Sequence, residues 1–224
     1  MAERLGHGTL HLVTDRALCG PRGLEAVVAA AVSGGVTHVQ LREKHAEPRE
    51  FLALARALLG WLRPAGVPLI INDSLEVVVA SGAEGLHLGQ RDLPVAEARQ
   101  QLPRALIGLS IETPAQLLRA EREGCPCDYY GASPVFDTAT KSDAAPALGL
   151  EGLARLRTLT TRPLIAIGGI HAGNAAAVCA AGADGLAVIS AICTAADPTT
   201  AARQLRQAMA SSARSAMPDP AIRP

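Results

Sequence analysis

Gln40, Arg42 and Lys44 alternate along one stretch of chain, so a strand continuing through them would point an amide and two cations the same way. Lys44 carries extra weight, because the chain has only two lysines, Lys44 and Lys141, and otherwise uses arginine as its base. Arg42, Lys44 and Lys141 together suit a polyanion, arginine through its planar fork and lysine as a mobile point charge. Asp73 and Asp92 offer two hard oxygen donors with no cysteine beside them, which suits Mg²⁺ shared with substrate phosphates. Each has a second reading: Asn72-Asp73-Ser74 is an ordinary N-cap signal, and Asp92 also precedes a helix. Gly168-Gly169 and Ser190 supply bare backbone and a hydroxyl of the kind that receives a phosphate. No nucleophile is paired with a base, and Ser190 lacks the Gly-x-Ser-x-Gly elbow. The chemistry indicated is therefore positioning and charge stabilisation at two anion sites, one cationic and metal-assisted, the other mostly backbone.

These residues recur at the ends of short apolar runs. Strands are expected at Leu10–Asp15, Val36–Val39, Pro68–Ile71, Gly85–Gly89, Ala105–Leu109, Asp128–Ala132, Pro163–Ile167 and Gly185–Ile189. Helices alternate with them: Pro21 opens the first, Pro48 the second, Ser74 begins the third, and the last spans about Pro198 to Met209. Eight such units at about 28 residues each predict a single-domain α/β fold, a closed (β/α)₈ TIM barrel whose strand exits form one ring. An open doubly wound sheet is the chief rival, but no Gly-x-Gly-x-x-Gly follows the first strand. Residues 1–9 read as an N-terminal extension, 10–210 as the barrel and 211–224 as a disordered tail. The joints before strands two, four, six and eight echo one another, as in Gly82-Ala83-Glu84-Gly85 and Gly182-Ala183-Asp184-Gly185, which indicates a reused αβ turn.

Composition removes several classes of partner. The 224 residues balance 21 basic against 21 acidic side chains and are 2% aromatic, which argues against a nucleic-acid surface. No apolar run is long enough to span a membrane, and no secretory signal is visible, so a cytoplasmic protein is expected. The five cysteines read as reduced thiols, and Cys125-Pro126-Cys127 has the wrong spacing for the usual metal or redox pairing. His87, inside a strand, reads as a packed, hydrogen-bonded histidine.

In order along the chain, Leu12-Val13-Thr14-Asp15, Gln40-Leu41-Arg42-Glu43-Lys44, Asn72-Asp73, His87-Leu88-Gly89-Gln90, Asp92-Leu93-Pro94, Thr138-Ala139-Thr140-Lys141, Ala166-Ile167-Gly168-Gly169-Ile170 and Val188-Ile189-Ser190 resemble the motifs of thiamine-phosphate synthases. The resemblance implies a (β/α)₈ barrel, a homodimer, Mg²⁺ and two phosphorylated substrates, a pyrimidine diphosphate and a thiazole phosphate. By the same resemblance, Gln40 and Ser110 hold the aminopyrimidine, while Arg42, Lys44, Asn72 and Lys141 grip its diphosphate and Asp73 and Asp92 hold the metal. Thr138, Thr140, Gly169, Ile189 and Ser190 receive the thiazole phosphate, with Ala139 between the two threonines. Arg42, Lys44, Lys141 and Ser110 are the candidate catalytic residues. Leu41 and Glu43 belong to the substrate-binding stretch, although Glu43 has the opposite parity and is expected to pair with a neighbouring cation. Ile111-Glu112 and Asp137 depart from the family pattern and put the local loop geometry in question. A related thiazole tautomerase would share the phosphate end but has no use for Arg42, Lys44, Lys141 and the aspartates.

Overall fold

The computed structural model describes Leu5 and residues 7–138 and 145–215. Eight parallel strands close into a barrel in sequence order: β1 (Thr9–Val13), β2 (His38–Leu41), β3 (Leu69–Asn72), β4 (Gly85–Leu88), β5 (Leu106–Ile111), β6 (Tyr129–Ala132), β7 (Leu164–Ile167) and β8 (Gly185–Val188). The β8–β1 pairing, Leu10 opposite Leu186, shuts the ring. Around it run α1 (Arg16–Cys19), α2 (Leu24–Ser33), α3 (Pro48–Leu62), α4 (Leu75–Ser81), α5 (Val95–Gln101), α6 (Pro114–Arg122), α7 (Gly149–Thr158), α8 (Ala175–Ala180), α9 (Ser190–Cys193) and α10 (Pro198–Ser215).

Local chemistry sets the boundaries. Pro48 and Pro114 occupy first turns, where a missing N–H costs no helix bond. Thr113 and Gln116 form a reciprocal capping box on α6. Gly82 ends α4 in the left-handed conformation, at φ 73°. The large core lies between strands and helices, and a smaller cluster fills the barrel itself: Val13, Ile70, Leu106, Tyr129, Ile165 and Ala187, with Leu5.

Three expectations are corrected. The helix expected from Pro21 is broken: Gly20–Arg22 forms a 3₁₀ turn, and α2 starts only after Gly23, held at φ 79°. Thr9 already belongs to β1 and Leu5 is 4% exposed, so part of the supposed N-terminal extension is barrel. The last helix runs to Ser215, so the stretch from Ser211 to Ser215 is helical and not an unstructured tail. Residues 216–224 lie outside those described.

The N-terminal ends of the strands are fastened by one device used repeatedly. Glu84, Asp128 and Asp184, each just ahead of or beginning an even strand, accept from Leu69, Ile107 and Leu164 N–H of the preceding odd strand at 3.0, 2.7 and 2.8 Å. Each carboxylate also pairs with an arginine from the helix before that odd strand: Arg63 at 2.8 Å, Arg99 at 2.6 Å and Arg157 at 2.7 Å. For the first odd strand, Leu10 N–H donates to Thr37 Oγ1, just ahead of β2, at 3.0 Å, and Arg206 of α10 donates to Gly8 O. The echoing joints of the sequence therefore carry a recurrent clamp. Its place, opposite the strand exits, is the stability face of such a barrel.

Candidate active site

At the opposite face a cavity of about 430 Å³ opens over the strand exits. Gln40, Arg42 and Lys44 all line it, as their shared parity required. The exit of β2 is held by Arg42 N–H donating to Thr14 Oγ1 at 3.1 Å. Leu41, of opposite parity, is fully buried against the helices and does not line the cavity. Glu43 is likewise outside it: its carboxylate pairs with Arg16 at 3.1 Å, and burial raises its pKa. Glu43 thus pairs with a neighbouring cation behind the strand exit.

Asn72 and Asp73 reach the cavity from β3, and Asp92 from the loop after β4. Ser74, not Asp73, caps α4, accepting from Val77 N–H at 3.3 Å. Asp73 instead sits at φ 64°, the only non-glycine with positive φ among the described residues, and its N–H donates to His87 O at 2.9 Å. A side chain held in that region carries a conformational cost of order 1–3 kcal/mol, and such costs cluster at functional sites. Asp92 is no cap either, since Pro94 precedes α5 and Asp92 Oδ2 accepts from Gly89 N–H at 2.6 Å. The two carboxyls share a hydrogen bond. Desolvation first, then that bond and the charge of Asp92, raise Asp73 to about 7 against the pull of Lys44 and Arg42. Two carboxyls forced to share a proton are a pair that a cation relieves. The described residues contain no cluster of three or more metal-ligating side chains. As two hard oxygen donors, the pair has the chemistry that a hard ion such as Mg²⁺ takes when waters and phosphate oxygens fill the rest of its shell.

Ser110 enters from β5 and is held from two sides. Its Oγ lies 2.9 Å from His87 Nε2, and its carbonyl accepts from Gln90 Nε2 at 2.7 Å. Gln90 is fixed in turn by Arg119 at 2.8 Å. His87 is a packed, hydrogen-bonded histidine, kept neutral by burial that lowers its pKa to about 4. It also lines the cavity, as do Tyr129 and His11, none of which stands out in the sequence as a site residue. Their signal was indirect: glycine at the inward positions of β5 and β6, where Gly108 and Gly131 leave room for the His87 ring.

Across the opening lie Thr138, Gly168, Gly169, Ile189 and Ser190. Gly168 and Gly169 sit at φ 108° and 62°, and Cβ atoms there would lie 2.6 Å from Pro134 Cβ and 2.7 Å from Phe136 Cβ. Only glycine satisfies both the turn and this packing. Ser190 begins α9, so backbone N–H groups and a hydroxyl meet at that end. Asp137 is exposed and does not line the cavity, and Ile111 is fully buried within β5 while Glu112 borders the opening. Ala139, Thr140 and Lys141 fall outside the described residues.

The family model described as thiamine monophosphate synthase matches residues 10–192. The chain is 56% identical over 199 residues to the thiamine-phosphate synthase of Albidiferax ferrireducens, covering 88% of this chain and 90% of that protein. It is 51% identical over 207 residues to that of Azorhizobium caulinodans, covering 92% and 97%. Among solved structures, a thiamine phosphate pyrophosphorylase from Pyrococcus furiosus superposes with a TM-score of 0.84 at 35% identity, covering 94% of this chain and 98% of the other. A 3-hexulose-6-phosphate synthase from Salmonella typhimurium, at 16% identity and TM-score 0.69, shares the fold alone. With the family model matching residues 10–192 and a relative 56% identical over 90% of its own length, the chain belongs to the thiamine monophosphate synthase family.

Proposed function

We propose that this chain joins a hydroxymethylpyrimidine diphosphate to a hydroxyethylthiazole phosphate, or its carboxylated form, releasing pyrophosphate and forming thiamine monophosphate. One observation carries the reading: a single cavity holds Arg42, Lys44, Asn72 and the Asp73–Asp92 pair on one side and Gly168, Gly169, Ile189 and Ser190 on the other. A diphosphate and a monophosphate can be held there at once, with their carbon skeletons between them.

Gln40 and Ser110 would orient the aminopyrimidine, while Arg42, Lys44, Asn72 and Lys141 take its diphosphate. Asp73 and Asp92 would hold Mg²⁺, whose chemistry there is neutralisation of diphosphate charge. Thr138, Thr140, Gly169, Ile189 and Ser190 would receive the thiazole phosphate, bringing its ring nitrogen toward the pyrimidine methylene. The methylene carbon–oxygen bond breaks first, its electron pair leaving with pyrophosphate, and Arg42, Lys44 and Lys141 stabilise the charge that develops. The electron-rich aminopyrimidine carries the resulting cation until the thiazole nitrogen lone pair forms the new carbon–nitrogen bond. Val13, Ile165, Ile167 and Ala187 line the apolar part of the cavity, a surface that keeps water from that cation. The same reading carries a homodimer with it.

The experiment is to incubate purified protein with both precursors, with and without Mg²⁺, and to look for thiamine phosphate and pyrophosphate. Folded protein that forms neither would sink the reading. Asp92→Ala and Lys141→Ala should each lower turnover while leaving melting nearly unchanged, and normal turnover in either would remove that residue from the mechanism.

A further inference from the structure

A polar chain is built into the floor of the cavity. Tyr129, 1% exposed, has its hydroxyl 2.9 Å from His87 Nδ1, and His87 Nε2 lies 2.9 Å from Ser110 Oγ. Three strands contribute one member each, and the strands between and beside them make room. Gly108 lies opposite His87 on one side and opposite Tyr129 on the other, and a Cβ there would fall 2.1 Å from Tyr129 Cζ and 2.5 Å from His87 Nδ1. At Gly131 a Cβ would fall 3.1 Å from His87 Cε1. Two strand positions thus forgo a side chain where the imidazole bridges tyrosine and serine.

The order of protons along this chain follows from its end. Tyr129 has one hydroxyl proton, and among the described residues His87 Nδ1 is its one hydrogen-bond partner. Were the imidazole proton on Nδ1, it would donate to the tyrosine oxygen and leave the phenolic proton buried without an acceptor, the costlier arrangement. Tyr129 therefore donates to Nδ1, the neutral ring carries its proton on Nε2, and Nε2–H donates to Ser110 Oγ. The serine's own proton is left for the cavity.

We propose that Tyr129 and His87 are positioning residues that fix the Ser110 hydroxyl as a hydrogen-bond donor, so that it selects an unprotonated ring nitrogen of the pyrimidine. The inference rests on the reading above that Ser110 faces the pyrimidine. A ring that presents N–H at that position meets donor against donor, and the site discriminates against it.

The test combines a double-mutant cycle with the protonation site of His87. Ser110→Ala, Tyr129→Phe and the double variant are compared in kcat/KM for the pyrimidine diphosphate, alongside thermal melting. Tyr129→Phe is expected to lower kcat/KM by roughly tenfold, mostly through KM, in the wild-type background and by less than about twofold once Ser110 is alanine. Nitrogen-15 spectra of histidine-labelled wild-type protein should show His87 protonated on Nε2, with that preference lost in Tyr129→Phe. Equal effects of Tyr129→Phe in both backgrounds, or Nδ1 protonation in the wild type, would overturn the proposal. Wild-type protein that makes no thiamine phosphate would instead overturn the functional reading, while the His87 spectra still decide the proton order.

Discussion

Gly108→Ala is a sharp test of the packing beneath the site. The added methyl would sit 2.1 Å from Tyr129 Cζ and 2.5 Å from both Tyr129 Oη and His87 Nδ1, against an ordinary carbon–carbon contact of about 3.5–4.0 Å. Tyr129 cannot step aside, being 1% exposed and packed edge-on against His11 at 5.9 Å between ring centroids, and the His87 ring is held on both nitrogens by Tyr129 and Ser110. Relief must come from strand displacement or off-rotamer side chains, which places the cost at the upper end of the overpacking range, about 3 kcal/mol. For a domain of this size each kcal/mol moves the midpoint by roughly 2–4 °C, so a fall of about 6–12 °C is expected in calorimetry. Gly60→Ala is the matched control: Gly60 lies within α3 with nothing near its absent Cβ, and alanine there should be neutral or stabilising by up to about 1 kcal/mol. Adding Tyr129→Leu to Gly108→Ala removes two of the three atoms the methyl meets, Tyr129 Cζ and Oη, and should leave the double variant more stable than the sum of the singles. A Gly108→Ala protein that melts with the wild type would refute the argument that this glycine exists to clear the rings.

Four further outcomes are expected. Because Asp73 is raised to about 7, its ionised, cation-binding form dominates only above that pH; Mg²⁺ affinity measured calorimetrically should weaken about tenfold between pH 8 and pH 6, and a flat profile would contradict the pairing with Asp92. The same shift means that the metal-free fold favours protonated Asp73, so the stability this group contributes is present below the unfolded value and is lost as pH rises through about 7. Gly169→Ala places a Cβ 2.7 Å from Phe136 Cβ and 2.9 Å from Asp137 O at φ 62°, and should raise KM for the thiazole phosphate by at least roughly tenfold while sparing that for the pyrimidine diphosphate; equal changes in both would place the glycine elsewhere in the chemistry. Arg157→Ala strips Asp184 of its 2.7 Å partner at the barrel's other face, and should cost about 2–4 kcal/mol in denaturant unfolding with kcat/KM unchanged at low temperature.

The site was legible where strand parity decides it. Gln40, Arg42 and Lys44 point together because alternation is a property of backbone geometry, and Asp73 and Asp92 meet because closure brings successive strand exits into one ring. Leu41 and Glu43 fall on the other side by the same rule. The Tyr129–His87–Ser110 chain was not legible, since each member alone resembles ordinary strand composition and only registration across β4, β5 and β6 joins them. The capping ambiguity at Asp73 needed a φ value, which the sequence does not carry; the structure gives the cap to Ser74. The break at Gly20–Arg22 was hidden by a proline that can open an α-helix as readily as a 3₁₀ turn. Beyond Met209, α10 continues without an apolar stripe, because extending a formed helix costs far less than starting one.

The four floor clamps divide the ring into equal sectors of two strands, and the junction between α10 and β1 is one of the four boundaries, fastened by Arg206 and Thr37 as the others are by arginine and carboxylate. Nothing in the fastening marks that boundary as the place where the polypeptide has to be discontinuous. A circular permutant linked from α10 back to β1 and cut instead at the turn around Gly66, before β3, keeps every clamp within the folded ring, so it should assemble the same barrel, with the cavity mouth untouched by the change of cut.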